Sequence, residues 1–279
     1  MDIRSALKDR KLFLDGGTGT EFQKQGLAAD PVTLNLTHPK AVADLHLAYL
    51  DAGADILTAN TFGAYSHKHG NFAQIIAQAM GSANAVRGKN TYVALDMGPT
   101  GLMLEPYGDV TREAAAVIFA QTIAEGVKNG ADLVLIETMM DLGELEIAVQ
   151  EAKKTGLPVF ATMSFMPNGR TMYGASIGDM AALLEGLGAD AIGMNCGEGL
   201  DAYGHLAEAL LAATALPVIL QPNAGLPEVV NGVPVYSVQP KEYASFMADM
   251  AGKGVAVLGG CCGTTPAHLN AMVQACGRV

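Results

Sequence analysis

Short apolar runs alternate with longer stretches of mixed polarity along the whole chain. The runs stop at Gly, Asn, Asp or Pro, and their length and composition are typical of strands that are buried on both faces. The longer stretches carry apolar residues at helical spacing. We predict strands at residues 11–14, 55–59, 92–95, 133–136, 159–163, 191–194, 217–220 and 255–258.

A predicted helix separates each strand from the next, and one more follows the last strand. Asp141 is a predicted N-cap, and Glu144 three residues later indicates a capping box. Gly53, Gly130 and Gly188 each stand just before a strand and predict left-handed helix ends. We predict helices at residues 39–52, 75–86, 111–128, 141–154, 177–187, 201–213, 240–251 and 266–275.

Eight strand–helix units fill the 279 residues, which is about 35 residues for each unit. Strands that alternate with helices predict a parallel sheet, and eight units of this length predict an α/β fold of the (β/α)8 TIM barrel type. No linker or break in composition divides the chain, so we expect a single domain over residues 1–279. We expect residues 229–238 to be a long loop after the seventh strand that covers the site.

Polar residues follow the apolar strands at their carboxyl ends, where the active sites of such barrels lie. Any one of these residues could simply cap a helix, but together they predict a site. The residues at these ends are Asp15, Asn60, Asp96, Glu137, Ser164, Asn195, Cys196, Asn223, Cys261 and Cys262.

Three of these residues are cysteines. Cys261 and Cys262 stand between glycines after the eighth strand, and Cys196 follows the sixth. Small buried core residues or a strained vicinal disulfide are the ordinary alternatives. Three converging thiolates instead predict a zinc site with an open fourth position, which is typical of catalytic zinc. Cys276 lies in the last predicted helix, and we expect it to be away from the site.

The composition of the chain argues against several classes of partner and location. The net charge of −11 argues against nucleic acid or an anionic membrane surface. No apolar run reaches the length of a membrane span, and the first residues do not read as a signal peptide. Four cysteines without paired spacing favour a reducing compartment, so we expect a cytoplasmic protein.

A zinc ion held by three thiolates is a weak Lewis acid, but it can bind a further thiol and lower the pKa of that thiol. The expected chemistry is therefore attack by a substrate thiolate on an electrophilic carbon. Asp15 and Glu137 could hold an ammonium group, and the backbone N–H groups of Gly16, Gly17 and Thr18 could hold a carboxylate. These groups together predict an amino-acid thiol such as homocysteine.

The same residues carry a resemblance to the homocysteine S-methyltransferase family, and above all to the homocysteine-binding barrel of cobalamin-dependent methionine synthase. The resemblance extends over residues 12–268, and the double cysteine between glycines is its most specific part. The matching motifs are Asp15-Gly16-Gly17-Thr18-Gly19-Thr20, Gly53-Ala54-Asp55-Ile56, Asn60-Thr61-Phe62, Gly98-Pro99, Glu137-Thr138, Met194-Asn195-Cys196, Pro222-Asn223-Ala224-Gly225 and Gly259-Gly260-Cys261-Cys262-Gly263-Thr264-Thr265-Pro266.

The resemblance implies a role for each site residue. It implies that the three cysteines hold Zn²⁺ and that the homocysteine sulfur is the fourth ligand. Asp15 and Glu137 would bind the amino group, and the Gly16–Gly17 backbone would bind the carboxylate. Asn195 is expected to be a further substrate residue. Asn223 is expected to contact substrate or to fill the fourth zinc position of the empty enzyme.

The resemblance also implies a methyl donor. We expect a methylated corrinoid, either methylcobalamin or a separate corrinoid-binding protein that docks at the barrel mouth, because the run 222–227 is similar to the corrinoid type. The product would be methionine. A small donor such as S-methylmethionine or betaine is an alternative. A zinc-holding partner subunit without catalytic activity is another.

Overall fold

Eight parallel strands surround a common axis in the computed structural model, which describes residues 2–27, 30–197, 199–230 and 233–277. Their order around the sheet is β1-β10-β7-β6-β5-β4-β3-β2, and a parallel bridge between Leu14 and Ile56 joins the first strand to the second. The predicted (β/α)8 barrel is therefore confirmed. The strands are β1 (Leu12–Phe13), β2 (Ile56–Thr58), β3 (Tyr92–Met97), β4 (Leu133–Met139), β5 (Val159–Met163), β6 (Ala191–Cys196), β7 (Val218–Pro222) and β10 (Val257–Leu258).

Helices surround the barrel, and all eight predicted helices are present. The sequence did not predict the short helices α1, α2 and α3 or the 3-10 turn Pro31–Thr33, which flank the first strand. The described helices are α1 (Ile3–Asp9), α2 (Thr18–Lys24), α3 (Leu34–Thr37), α4 (Pro39–Ala52), α5 (Phe72–Val86), α6 (Arg112–Lys128), α7 (Leu142–Lys153), α8 (Ile177–Leu187), α9 (Leu200–Ala213), α10 (Pro240–Gly252) and α11 (Pro266–Cys276).

The predicted helix caps are present in the structure, but the capping box predicted for α7 is not. Gly53 and Gly188 are left-handed caps with φ of 111° and 69°. Asp141 caps α7 by accepting a hydrogen bond from the Glu144 N–H at 2.8 Å. The predicted capping box is wrong, because Glu144 Oε1 instead accepts bonds from the N–H and hydroxyl of Thr100, at 2.8 and 2.5 Å. Glu144 thus anchors the loop after β3 beside the barrel mouth.

The barrel interior is apolar toward the amino ends of the strands and polar toward their carboxyl ends. Inward-facing Leu133, Leu135 and Phe160 belong to an interior cluster that also contains Ile3 and Ala6 of α1, which close the amino end of the barrel. Side chains alternate between the two faces of a strand, so the next inward positions toward the carboxyl end form a second layer. That layer contains the polar residues Thr58, Asp96, Glu137, Thr162 and Gln221; on β6 it holds Gly193, and Asn195 is the next inward residue beyond it.

The expected loop at residues 229–238 is mostly a β-hairpin, so the prediction is wrong about its secondary structure. Strands β8 (Pro227–Val230) and β9 (Val233–Tyr236) pair in antiparallel fashion, and residues 231 and 232 lie outside the described residues. The hairpin reaches the site through Tyr236, whose ring contacts the loop after β10. None of the described helices combines the length and apolar character that a membrane crossing needs.

Candidate metal and thiol site

Three thiol groups converge at the barrel mouth. The Sγ atoms of Cys196 and Cys261 are 2.7 Å apart, those of Cys261 and Cys262 are 4.0 Å apart, and all three lie within 4.8 Å of one another. All four cysteines are free, so the vicinal disulfide is not formed. Cys276 is not a member of the cluster, as expected. The structure therefore brings the three predicted cysteines together from the end of β6 and the loop after β10.

Strained backbone holds one side of this cluster. Cys196 and Thr138 have φ of 58° and 60°, which side chains with a Cβ rarely adopt. Asn195 supports Thr138, because its Oδ1 accepts bonds from the Thr138 N–H and the Thr162 hydroxyl, each at 2.7 Å. Its Nδ2 donates to the Thr138 hydroxyl at 2.7 Å. Asn195 thus joins β4, β5 and β6, and its Nδ2 lies 3.8 Å from the Sγ of Cys261.

A second set of contacts holds the loop after β10 against the loop after β1. The Thr264 hydroxyl donates to Cys261 O at 2.7 Å and accepts from the Gly17 N–H at 3.0 Å. The buried Tyr49 hydroxyl lies 3.2 Å from the carbonyl oxygens of both Gly17 and Thr264. A Cβ at Gly17 would lie 2.8 Å from Cys261 O, so only glycine permits this approach.

Hydrogen bonds between the three thiols shift their pKa values in opposite directions. Bonds from the thiols of Cys196 and Cys261 lower the pKa of Cys262 to about 3, and a bond from the Tyr236 hydroxyl acts in the same direction. The pKa of Cys261 is raised, first because its proton is used in the bond with Cys196. These hydrogen bonds therefore favour the thiolate form of Cys262, and a cation at the centre of the cluster would stabilise the thiolate form of all three.

Beside the thiols lies a cavity of about 390 Å³. Asp15, Asp96 and Glu137 line it; Asp15 and Asp96 are buried, and Glu137 is half-buried. None of the described residues that line it is a lysine or an arginine. Buried carboxylates without a cationic side chain are costly. The cavity is therefore complementary to a cationic group on a ligand.

Burial dominates the acid–base behaviour of these carboxyl groups. It raises the pKa of Asp15 to about 7, although hydrogen bonds from the N–H and hydroxyl of Thr58, both 2.8 Å, oppose the rise. Burial also raises the pKa of Glu137 to about 8, with repulsion from Asp15 as the next cause. The pKa of Asp96 is raised well above its ordinary value, by burial and then by Glu137.

The remaining predicted substrate residues differ in which of their polar atoms are free to bind a ligand. Gly16 and Gly17 line the cavity, but the Gly17 N–H already has a partner in Thr264. Asn223 Nδ2 donates to Gly197 O at 2.9 Å, whereas its buried Oδ1 has no hydrogen-bond partner among the described residues. Their roles, and that of Asn195, stay predictions.

Several residues of the site were missed from the sequence. Thr58 and Gln221 line the cavity, and Gln221 Nε2 lies 3.4 Å from Glu137 Oε2. Both stand two residues after an inward apolar residue, so strand alternation could have identified them. Tyr236 bonds to Cys262 from a hairpin far away in sequence, and no pattern in the chain indicates that contact.

The chemistry of the donors fits zinc. Zinc–thiolate bonds are about 2.3 Å long. The three sulfurs lie within 4.8 Å of one another, so one ion can bind all three once the 2.7 Å pair of Cys196 and Cys261 moves apart. The Oδ1 of Asn223 has no hydrogen-bond partner among the described residues and could serve as an oxygen ligand. Asn223 lies two residues after Gln221, which lines the cavity. Within the described residues, no fourth cysteine, histidine or carboxylate joins the three thiols to close the site. A metal here would keep a position for a ligand.

Comparisons with solved structures agree with this fold. The chain superimposes on the homocysteine methyltransferase MmuM from Escherichia coli in its metallated form with a TM-score of 0.82, at 21% identity and over 98% of this chain and 99% of that one. The oxidised form of MmuM gives a TM-score of 0.81 at 23% identity. At this level of identity the likeness is one of fold.

Comparisons of sequence are more specific. The chain is 30% identical to methionine synthase of Mycobacterium leprae over 304 residues, and 30% identical to that of Mycobacterium tuberculosis over 309 residues. It covers 25% and 26% of those proteins, so it spans about a quarter of their length. Residues 12–276 match the family model described as homocysteine S-methyltransferase. The chain therefore belongs to the homocysteine S-methyltransferase family.

Proposed function

We propose that this protein is a zinc-dependent methyltransferase that moves a methyl group from a methylated corrinoid to the thiolate of homocysteine, forming methionine. The observation that carries the proposal is the position of three thiols next to a cavity that three carboxyl groups line. One part of the site is suited to sulfur and the other to an ammonium group. A homocysteine molecule carries both groups a few bonds apart.

Cys196, Cys261 and Cys262 would hold the zinc. When bound there, zinc would take the substrate sulfur as its fourth ligand and lower its pKa, so that the thiolate is present at neutral pH. The chain itself orients the thiols. The Nδ2 of Asn195 points to the Sγ of Cys261 at 3.8 Å, and the Tyr236 hydroxyl donates to Cys262.

Asp15 and Glu137 would bind the α-ammonium group. Their carboxyl groups are desolvated, and a substrate cation would replace the solvation that burial removes. Such a cation stabilises the ionised carboxylates, so it lowers the pKa values that burial raises. The Gly16–Gly17 segment lines the same cavity and is proposed to face the substrate carboxylate.

The surface around the mouth supports a donor presented by another protein. Among the described residues, most large apolar side chains that are exposed lie on loops after the carboxyl ends of strands. We call these residues the apolar rim. They are Phe62, Met103, Tyr107, Met166, Met172, Tyr173, Leu226, Val229 and Val235. Clustered exposed apolar groups are typical of protein–protein contacts, and a corrinoid-binding protein is the proposed partner.

The test is methionine formation by the zinc-loaded protein. Homocysteine is supplied with methylcobalamin, with S-methylmethionine or with betaine, and methionine is quantified by mass spectrometry. Because free methylcobalamin carries the reactive methyl group without a partner protein, it tests the corrinoid assignment directly. Turnover with methylcobalamin alone is the expected result.

Other outcomes have defined meanings. Turnover only with S-methylmethionine or betaine would replace the corrinoid by a small donor and leave the homocysteine assignment intact. Binding of zinc and homocysteine without turnover from any donor would favour a subunit that holds the thiol but does not transfer methyl groups. Absence of homocysteine binding to the zinc-loaded protein would refute the proposed function.

A further inference from the structure

Asp96 has a carboxyl group with no assigned use. Its side chain lines the cavity beside the thiols, and the residue is only 7% exposed. Its Oδ1 has no hydrogen-bond partner among the described residues. A buried carboxylate oxygen without a partner is costly, and proteins rarely keep one without a ligand to satisfy it.

The direction of this side chain is set by the barrel. Ala94 belongs to the interior apolar cluster, and Asp96 is the next inward residue of β3. The Thr61 hydroxyl fixes the backbone on both sides, because it donates to Asp96 O at 2.7 Å and accepts from the Asp96 N–H at 3.0 Å. The carboxyl group is therefore held toward the cavity by rigid backbone.

The other two carboxyl groups of the cavity have protein partners. Each oxygen of Asp15 takes one bond from Thr58, and Glu137 Oε2 lies 3.4 Å from Gln221 Nε2. A primary ammonium group has three N–H donors. Three carboxyl groups line this cavity, from the loop after β1 and from the neighbouring strands β3 and β4.

We propose that Asp96 is the third acceptor for the α-ammonium group of the thiol substrate, together with Asp15 and Glu137. This inference rests on the proposed function and adds a residue that determines specificity. Each N–H of the ammonium would meet one carboxylate. Thiols with a free primary ammonium are then favoured over thiols in which this group is acylated or missing.

The experiment compares two ligands that differ only in this group. L-Homocysteine and 4-mercaptobutanoate, its analogue without the amino group, are titrated into zinc-loaded wild type, D96N and D96S by isothermal calorimetry. D96N keeps the shape of the side chain, and D96S tests the position with a smaller one. D109N removes a carboxylate from an exposed site on the loop after β3 and is the matched control.

Both Asp96 variants should bind homocysteine at least about tenfold more weakly than wild type, which is the value of one hydrogen bond to a charged group. Their affinity for 4-mercaptobutanoate should stay unchanged, and D109N should behave as wild type with both ligands. No loss for homocysteine, or an equal loss for both thiols, would overturn the inference while leaving the proposed function intact. Failure of wild type to bind homocysteine would overturn the proposed function, and this inference with it.

Discussion

The substitution Asp15→Asn should make the ligand-free protein more stable at alkaline pH. Burial raises the pKa of Asp15 to about 7 from an ordinary value of 3.8. The folded protein therefore holds this proton more tightly than the unfolded chain does. The stability that the protonated group contributes is complete below pH 3.8 and is lost as the pH rises through 7.

The size of the effect follows from these values. From pH 5 to pH 7 the folded state retains the proton and the unfolded state does not, so two pH units at 1.36 kcal/mol each give about 3 kcal/mol. An amide at position 15 does not ionise, and it can make the same two contacts with Thr58. The free energy of unfolding of D15N, relative to wild type, should rise by about 3 kcal/mol between pH 5 and pH 8.

The assay is urea unfolding of both proteins at pH 5 and pH 8, without homocysteine, followed by circular dichroism. D109N serves as the control, because it removes a carboxylate that is exposed and lies outside the cavity. A D15N difference that stays within about 0.5 kcal/mol across this range would refute the reasoning. D15N should also bind homocysteine more weakly. The aspartate at position 15 would then lower the stability of the folded protein at alkaline pH while it strengthens substrate binding.

Three further predictions concern the loop after β10 and its metal. C261A should lose zinc while the barrel stays folded, whereas C276A should retain zinc, as measured by metal analysis and circular dichroism. Removal of zinc from wild type with a chelator should abolish calorimetric homocysteine binding, and added zinc should restore it. G263A should unfold at a clearly lower temperature than G156A: both glycines have positive φ, but only a Cβ at 263 meets a side chain, 2.1 Å from Tyr236 Cγ. Equal melting temperatures for the two glycine variants would contradict the contact.

The strands were predictable because the barrel buries them on both faces, which leaves continuous apolar runs. Their carboxyl ends were less predictable. The predicted β6 stopped at residue 194, but Asn195 and Cys196 continue to pair with Gln221 and Pro222. Polar residues that complete a barrel interior resemble loop residues in sequence, since their hydrogen-bond partners lie on other strands. The apolar pattern therefore ends before the strand does.

The thiol cluster was predictable for a different reason. Parallel strands bring their carboxyl ends to one face, so cysteines after the sixth and eighth strands had to lie near each other. The contact of Tyr236 with Cys262 depends on how a hairpin folds over the mouth, and nothing local encodes it. The Oδ1 of Asp96 was unpredictable in the same way, because only three-dimensional packing shows which buried oxygen has no hydrogen-bond partner.

The apolar floor of the barrel has a kinetic consequence. Ile3 and Ala6 of α1 pack beneath the interior cluster, so the site is reached from the carboxyl end of the strands. Under the proposed function, both reactants use that entrance, and the thiol binds deeper than the donor. Addition should then be ordered, with homocysteine first and the donor second. A donor protein bound too early would block the entrance, so a high donor concentration should inhibit turnover competitively against homocysteine.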